Sequence, residues 1–212
     1  PGQLLNLLFI SLTAFVIYLS LRLYLKNQIA AMVGAVFFLV SNGPVHLSTA
    51  IMPDALCIMF YTSGLYTFLK FLDDRKNSLL ILFILFTTLA ALIKPLALNL
   101  GIIQFFILVF GYRQLLKSPK IWAAWITIVA ITLSYLLFSN GLFKEYGNTF
   151  GVLGGDSKFP TVKGLLVPIH YAKLFYMTVL WGLGPIGFIS LIYLIIKRKL
   201  SFVEWALIIG NI

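Results

Sequence analysis

The chain has 212 residues, 61% of them hydrophobic and only 10% charged, with a mean hydropathy of +1.02. Soluble domains carry about a quarter charged residues, so a soluble globular domain is excluded and an all-α, polytopic transmembrane helix bundle is expected. The formal net charge of +10 does not describe a nucleic-acid-binding face, because the basic residues sit in short clusters between apolar runs, the topology signature of membrane proteins.

A hydrocarbon core of about 30 Å needs about 20 apolar helical residues. On that measure spans are predicted over residues 4–25, 29–40, 53–72, 79–93, 95–112, 121–138 and 171–196, with another beginning at 202. A polar, glycine-bearing loop is predicted over 139–170, and its glycines suit a segment that closes over substrate. The run 79–93 is only about 22 Å long as a helix. Pro95 disfavours helical geometry at Lys94 and removes a donor, so two short helices are expected to meet at Lys94-Pro95 near one membrane face. The chain opens on Pro1-Gly2 and stops at Ile212 within an apolar run. It therefore reads as a partial transmembrane domain, 1–212, of a larger protein.

Alternating the spans places Arg22, Lys26, Lys70, Arg75, Lys76, Arg113, Lys117, Lys120, Lys197, Arg198 and Lys199 on one side, 11 of the 16 basic residues. The positive-inside rule makes that side cytoplasmic. Asp54, Lys94 and the long loop then share the outer face, with His46, Ser48 and Thr49 just before Asp54.

Asp54 is the only acidic residue before the Asp73-Asp74 pair, and apolar sequence follows it for a full span. A carboxylate there is expensive without water or a partner, which marks a candidate functional site. The plainer reading is a helix start, since Pro53 suits a first helical position and an acid in the first turn gains about 0.3–1 kcal/mol from the helix dipole. Lys94 reads either as a phosphate-binding cation or as a lysine snorkelling to the interface. His46, His170 and Tyr171 read either as substrate contacts or as interfacial anchors. Glu145, Asp156, Lys158 and Lys163 of the long loop read as solvated charges.

Gly182-Leu-Gly184-Pro-Ile-Gly187 fits G-x-G-x-x-G, but the dinucleotide fingerprint needs a preceding strand, and this run lies within a predicted span. Helix kinking or close packing accounts for it. No metal-ligand spacing of His, Cys and carboxylates is present, so neither a metal nor a cofactor is expected. Cys57, the one cysteine, reads as a packing residue.

The stretch His46-Leu-Ser-Thr-Ala-Ile-Met-Pro-Asp54-Ala-Leu leads into a span bearing Tyr61 and Tyr66, a short basic loop and Leu-Ala-Ala-Leu-Ile-Lys94-Pro. Together with Val167-Pro-Ile-His-Tyr171 and the later Gly184-Pro185, it resembles the membrane core of GT-C glycosyltransferases that use polyprenyl-phosphate sugars. These include the protein O-mannosyltransferases and the aminoarabinose transferases of lipid A. The resemblance implies transfer of a sugar from a polyprenyl-phosphate donor to a lipid, glycan or protein acceptor at the outer face, within a bilayer and without nucleic acid. It places Asp54 as a supporting active-site acid and Lys94 at a lysine position often followed by glycine, where this chain has proline. The family's main base lies in the first outer loop, so it is expected upstream of Pro1, and this segment alone is expected to be inactive. Two other classes stay open: a transporter or flippase for a lipid-linked or anionic solute, and a non-catalytic membrane assembly subunit.

Overall fold

The computed structural model describes residues 2–49 and 53–147, and all the regular structure among them is helical. Seven α-helices follow in order: α1 (Gly2–Leu25), α2 (Gln28–Val40), α3 (Asn42–Thr49), α4 (Asp54–Asp74), α5 (Asn77–Ile93), α6 (Asn99–Gly111) and α7 (Pro119–Tyr146). Short 3₁₀ turns occupy Pro95–Leu98 and Arg113–Lys117. Among the described residues α1, α4 and α7 are each long and apolar enough to cross a membrane, and α2 with α3 passes the same test as a pair bent by 54°. The predicted span 171–196, the run from 202, His170, Tyr171 and residues 148–170 of the predicted loop lie outside the described residues.

The described residues fall into two compact units. One holds 2–40, 44–49 and 53–133, and the other holds 41–43 and 134–147. In the first, α1 lies against α2 and α4, while α4 and α5 run together along their lengths. Its apolar core joins Phe68, Phe71 and Leu72 of α4, Phe83 of α5, Leu100, Ile103 and Ile107 of α6, and Ile121 and Ile128 of α7. Phe68 and Phe83 meet with ring centroids 5.3 Å apart, tilted by 52°, a geometry that the ring quadrupoles favour. Outside the core, Leu4, Leu8 and Phe15 of α1 and Ile81 and Leu85 of α5 are exposed. On a membrane protein those surfaces face lipid, where close packing rather than water exclusion holds helices together.

The joints follow from local chemistry. Asn27 accepts a bond from the Ala30 amide at 3.1 Å and caps the start of α2. Arg75 ends α4 in the left-handed region at φ 57°, its amide donating to the Phe71 carbonyl, and its guanidinium lies 5.5 Å from the centre of the Tyr112 ring. That cation–π contact offsets part of the cost of a left-handed non-glycine residue. Lys120 donates to Asn77 at 3.1 Å and so ties the start of α7 to the start of α5. The Trp122 indole donates to the Leu116 carbonyl at 2.7 Å, closing the basic turn.

Residues 42–49, outside the predicted spans, form a separate helix with Pro44 in its first turn, where a missing donor costs nothing. One predicted boundary differs from the sequence-based expectation. α7 continues to Tyr146, so helix occupies the first part of the predicted 139–170 loop.

Two glycines separate tolerant from intolerant packing. A Cβ on Gly34 would meet only the Leu21 side chain, and most closely its terminal carbon, the mobile end of that side chain. A rotamer adjustment of about 0.5–1.5 kcal/mol is offset by the helix gain of about 0.5–1 kcal/mol on replacing Gly with Ala. Gly34→Ala is therefore expected to stay within about 1 kcal/mol of wild type, read from the unfolding midpoint in detergent.

Candidate functional site

Lys94 interrupts the run between α5 and α6. Pro95 excludes helical geometry at the residue before it, and Lys94 takes φ −140°, ψ 112°. Its amide still donates to the Ala90 carbonyl at 2.9 Å, and its carbonyl accepts from Ala97 at 2.9 Å. The backbone groups of the break are thus satisfied, and the lysine side chain leaves the chain at the corner.

Asp54 opens α4, with Pro53 as the N-cap residue rather than the first helical one, and with no side-chain capping bond. Its carboxylate forms an ion pair with the Lys94 ammonium. The Asp54 side chain is 20% exposed and that of Lys94 47%, so the pair lies at an accessible edge of the helix packing. Lys94 has three ammonium protons, and with nearly half its surface accessible it can meet a second anion without leaving Asp54.

Below the pair, the same face of α4 presents Cys57 and Tyr61, three and seven residues on, the spacing of one helical stripe. The Cys57 thiol donates to the Ala90 carbonyl of α5 at 3.6 Å. Cys57, Ala90 and Ala97 form a small buried cluster with Phe60, Tyr61 and Ile93 packed against it. The Tyr61 hydroxyl is buried within this packing and has no hydrogen-bond partner among the described residues, and the same holds for the Asn99 side-chain oxygen just past the corner. The site is therefore a charged edge over a tight wall of small residues that also holds uncommitted polar groups.

His46 lies on α3 and is exposed. Ser48 and Thr49 donate to carbonyls of their own helix, at 2.7 and 2.9 Å. Gln3 and Asn6 of α1 donate to the Thr49 and Leu47 carbonyls at 3.1 and 3.4 Å, which fastens α3 to the start of α1. Of the sequence-based candidates, Asp54 and Lys94 are brought into contact. His170 and Tyr171 lie outside the described residues. Sequence reasoning had assigned Cys57 to packing and left Tyr61 without a role, although their spacing from Asp54 put all three on one helical face. Among the described residues no group of three or more His, Cys, Asp or Glu could hold a metal ion.

Apolar helices too long and too lipid-facing for a soluble core, together with a carboxylate–ammonium pair at a broken span, define an integral membrane protein built as an all-α helix bundle. Within that class the chain belongs to the dolichyl-phosphate-mannose-protein mannosyltransferase family, whose family model matches residues 1–138. The match contains His46, Asp54 and Lys94 and ends before His170. Membership makes the protein a membrane glycosyltransferase of the mannosyltransferase type at the level of the family. No curated protein and no solved structure matches the chain.

Proposed function

We propose that the protein transfers a hexose-type sugar from a polyprenyl-phosphate donor to a lipid, glycan or protein acceptor, at the membrane face where Asp54 and Lys94 meet. The observation that carries this reading is the accessible Asp54–Lys94 ion pair at the corner between α5 and α6. Displacing a lipid phosphate from an anomeric carbon requires a cation where the leaving phosphate gathers charge and a carboxylate near the acceptor hydroxyl. The Lys94 ammonium serves the first need in a low-dielectric site. Asp54 serves the second, orienting the acceptor hydroxyl or taking its proton.

The pair holds both groups ready in the free enzyme. A donor phosphate entering beside Lys94 shares the ammonium and so weakens its hold on the carboxylate, which becomes available to the acceptor. The family match supports sugar transfer, and the positive-inside distribution supports an outward-facing site. A main base outside these residues, as the resemblance implies, leaves Asp54 a supporting acid.

Lys94→Met tests the phosphate role in the full-length protein, assayed with labelled polyprenyl-phosphate mannose in proteoliposomes. Loss of the cation that meets the leaving phosphate should lower kcat/KM for donor by at least about tenfold, about 1.4 kcal/mol of barrier, with acceptor KM unchanged. An unchanged donor KM with full turnover would remove Lys94 from the site and reduce it to an interfacial anchor.

A further inference from the structure

At the far ends of α4 and α5 from the Asp54–Lys94 pair, two basic connections meet. The α4–α5 turn carries Arg75 and Lys76, and the connection from α6 into α7 carries Arg113, Lys117 and Lys120. Two contacts join them across the fold. The Arg75 guanidinium lies 5.5 Å from the centre of the Tyr112 ring, next to Arg113 in the chain. The Lys120 ammonium donates to Asn77 Oδ1 at 3.1 Å, next to Lys76. Leu115 and Leu116 pack against the apolar core, and the Trp122 indole donates to the Leu116 carbonyl, so the turn bearing Arg113 and Lys117 is fixed to the bundle. All five cations belong to exposed residues. Among the described residues their acidic neighbours are Asp73 and Asp74, the latter 4.0 Å from Lys76, and no Asp or Glu occurs between Asp74 and Glu145. Arg113 commits its Nε proton to the Val109 carbonyl at 2.8 Å. A guanidinium has five donors and an ammonium three, so Arg113 and Lys120 both keep donors for a ligand.

We propose that this end of the bundle is a binding site for an anionic phospholipid, its phosphate held by Arg113, Lys117 and Lys120. The partner class follows from what borders the cations. Phe110, 59% exposed, precedes Arg113 by one helical turn, and Trp122 and Ile126, 46% and 65% exposed, follow Lys120 along α7. Cations that adjoin exposed apolar residues suit an amphipathic ligand, with a phosphodiester on the charged groups and acyl chains along Phe110 and Ile126. A nucleic acid or an acidic peptide would leave those apolar residues uncovered. Tryptophan favours the headgroup depth at which Trp122 would then lie. Lysine and arginine beside a span attract anionic lipid over about a Debye length, and here two connections are locked together, which concentrates that attraction at one place. The site depends neither on the sugar-transfer reading nor on which side of the membrane this end faces.

Native mass spectrometry of the full-length protein tests it, with dioleoyl phosphatidylglycerol or dioleoyl phosphatidylcholine titrated into the same detergent preparation. Wild type should bind phosphatidylglycerol more tightly than phosphatidylcholine. Arg113→Gln combined with Lys117→Gln should weaken phosphatidylglycerol binding by at least about fivefold and leave phosphatidylcholine unaffected. Lys117→Gln alone should act in the same direction, and Arg113→Lys, which keeps the charge, should retain most of the affinity. Arg22→Gln combined with Lys26→Gln removes the same charge at the end of α1 and should change phosphatidylglycerol binding little. Equal binding of the two lipids by wild type would overturn the proposal. So would equal losses in the two double variants, the mark of diffuse attraction to net charge. Displacement of bound phosphatidylglycerol by an equal concentration of inorganic phosphate would also overturn it, in favour of a site for a free anion.

Discussion

Asp54→Asn in the full-length protein should lower sugar transfer by at least about tenfold, about 1.4 kcal/mol of barrier, while leaving the unfolding midpoint nearly unchanged. The two halves of that expectation come from the same geometry. Asparagine keeps the size of the side chain but cannot accept a proton from the acceptor, and it no longer draws the Lys94 ammonium into position. The structural cost is small because Lys94, 47% exposed, is left accessible rather than buried and unpaired. Accessible ion pairs contribute about 0–1 kcal/mol, and a first-turn acid contributes about 0.3–1 kcal/mol through the helix dipole. A helix-start role alone would reverse the balance, with a lower midpoint and intact transfer per folded molecule. Rates normalised to folded protein, with thermal unfolding measured on the same preparations, separate the two.

Gly64→Ala should destabilise the bundle by about 1–3 kcal/mol, a larger effect than at Gly34 and opposite to the usual gain from replacing a helical glycine. A Cβ on Gly64 would lie 2.7 Å from the Thr87 hydroxyl oxygen, 3.4 Å from the Thr87 backbone nitrogen and 3.4 Å from Leu100. The hydroxyl belongs to a short, stiff side chain and the nitrogen to the α5 backbone, so relief requires α4 and α5 to separate. These helices carry Asp54 and Lys94, so transfer should fall as well. Thr87→Ala removes the nearest clashing atom and should recover part of the stability of Gly64→Ala, a coupling that a double-mutant cycle in detergent unfolding would read directly. Purely additive effects would mean that the two helices adjust independently.

Much of the site's placement was legible in the chain. Pro95 foretold the break at Lys94 through its steric demand on the preceding residue. The alternation of basic clusters put Asp54, at the start of α4, and Lys94, just past the end of α5, on the same membrane face, and the structure joins them. Their direct pairing was not legible, because 40 residues separate them and no local period links positions so far apart. The same holds for Gln104 and Trp125, whose hydrogen bond depends on how α6 and α7 pack. Residues 42–49 fall outside the predicted spans because the run is too short and too polar to cross a membrane, yet it forms a helix, and proline in a first helical turn loses no bond. The continuation of α7 through Ser139, Asn140 and Gly141 was hidden for a different reason. The length of a hydrocarbon span limits the apolar run, not the helix that carries it. Tyr61 and Cys57 carried a usable signal, the i, i+3, i+7 stripe from Asp54, but the apolar surroundings of Cys57 suggested packing alone and Tyr61 was given no role.

The most direct test of the proposed function follows a label in sealed proteoliposomes containing the full-length protein and a polyprenyl-phosphate sugar labelled in the sugar, with lipid, glycan and peptide acceptors supplied. Sugar transfer requires the label to leave the polyprenyl phosphate and become covalently joined to one of the acceptors, with free polyprenyl phosphate formed in equal amount. Label that crosses the bilayer still attached to its original lipid, with no acceptor product from mannosyl or other hexosyl donors, would contradict sugar transfer and identify the Asp54–Lys94 corner as part of a transport path.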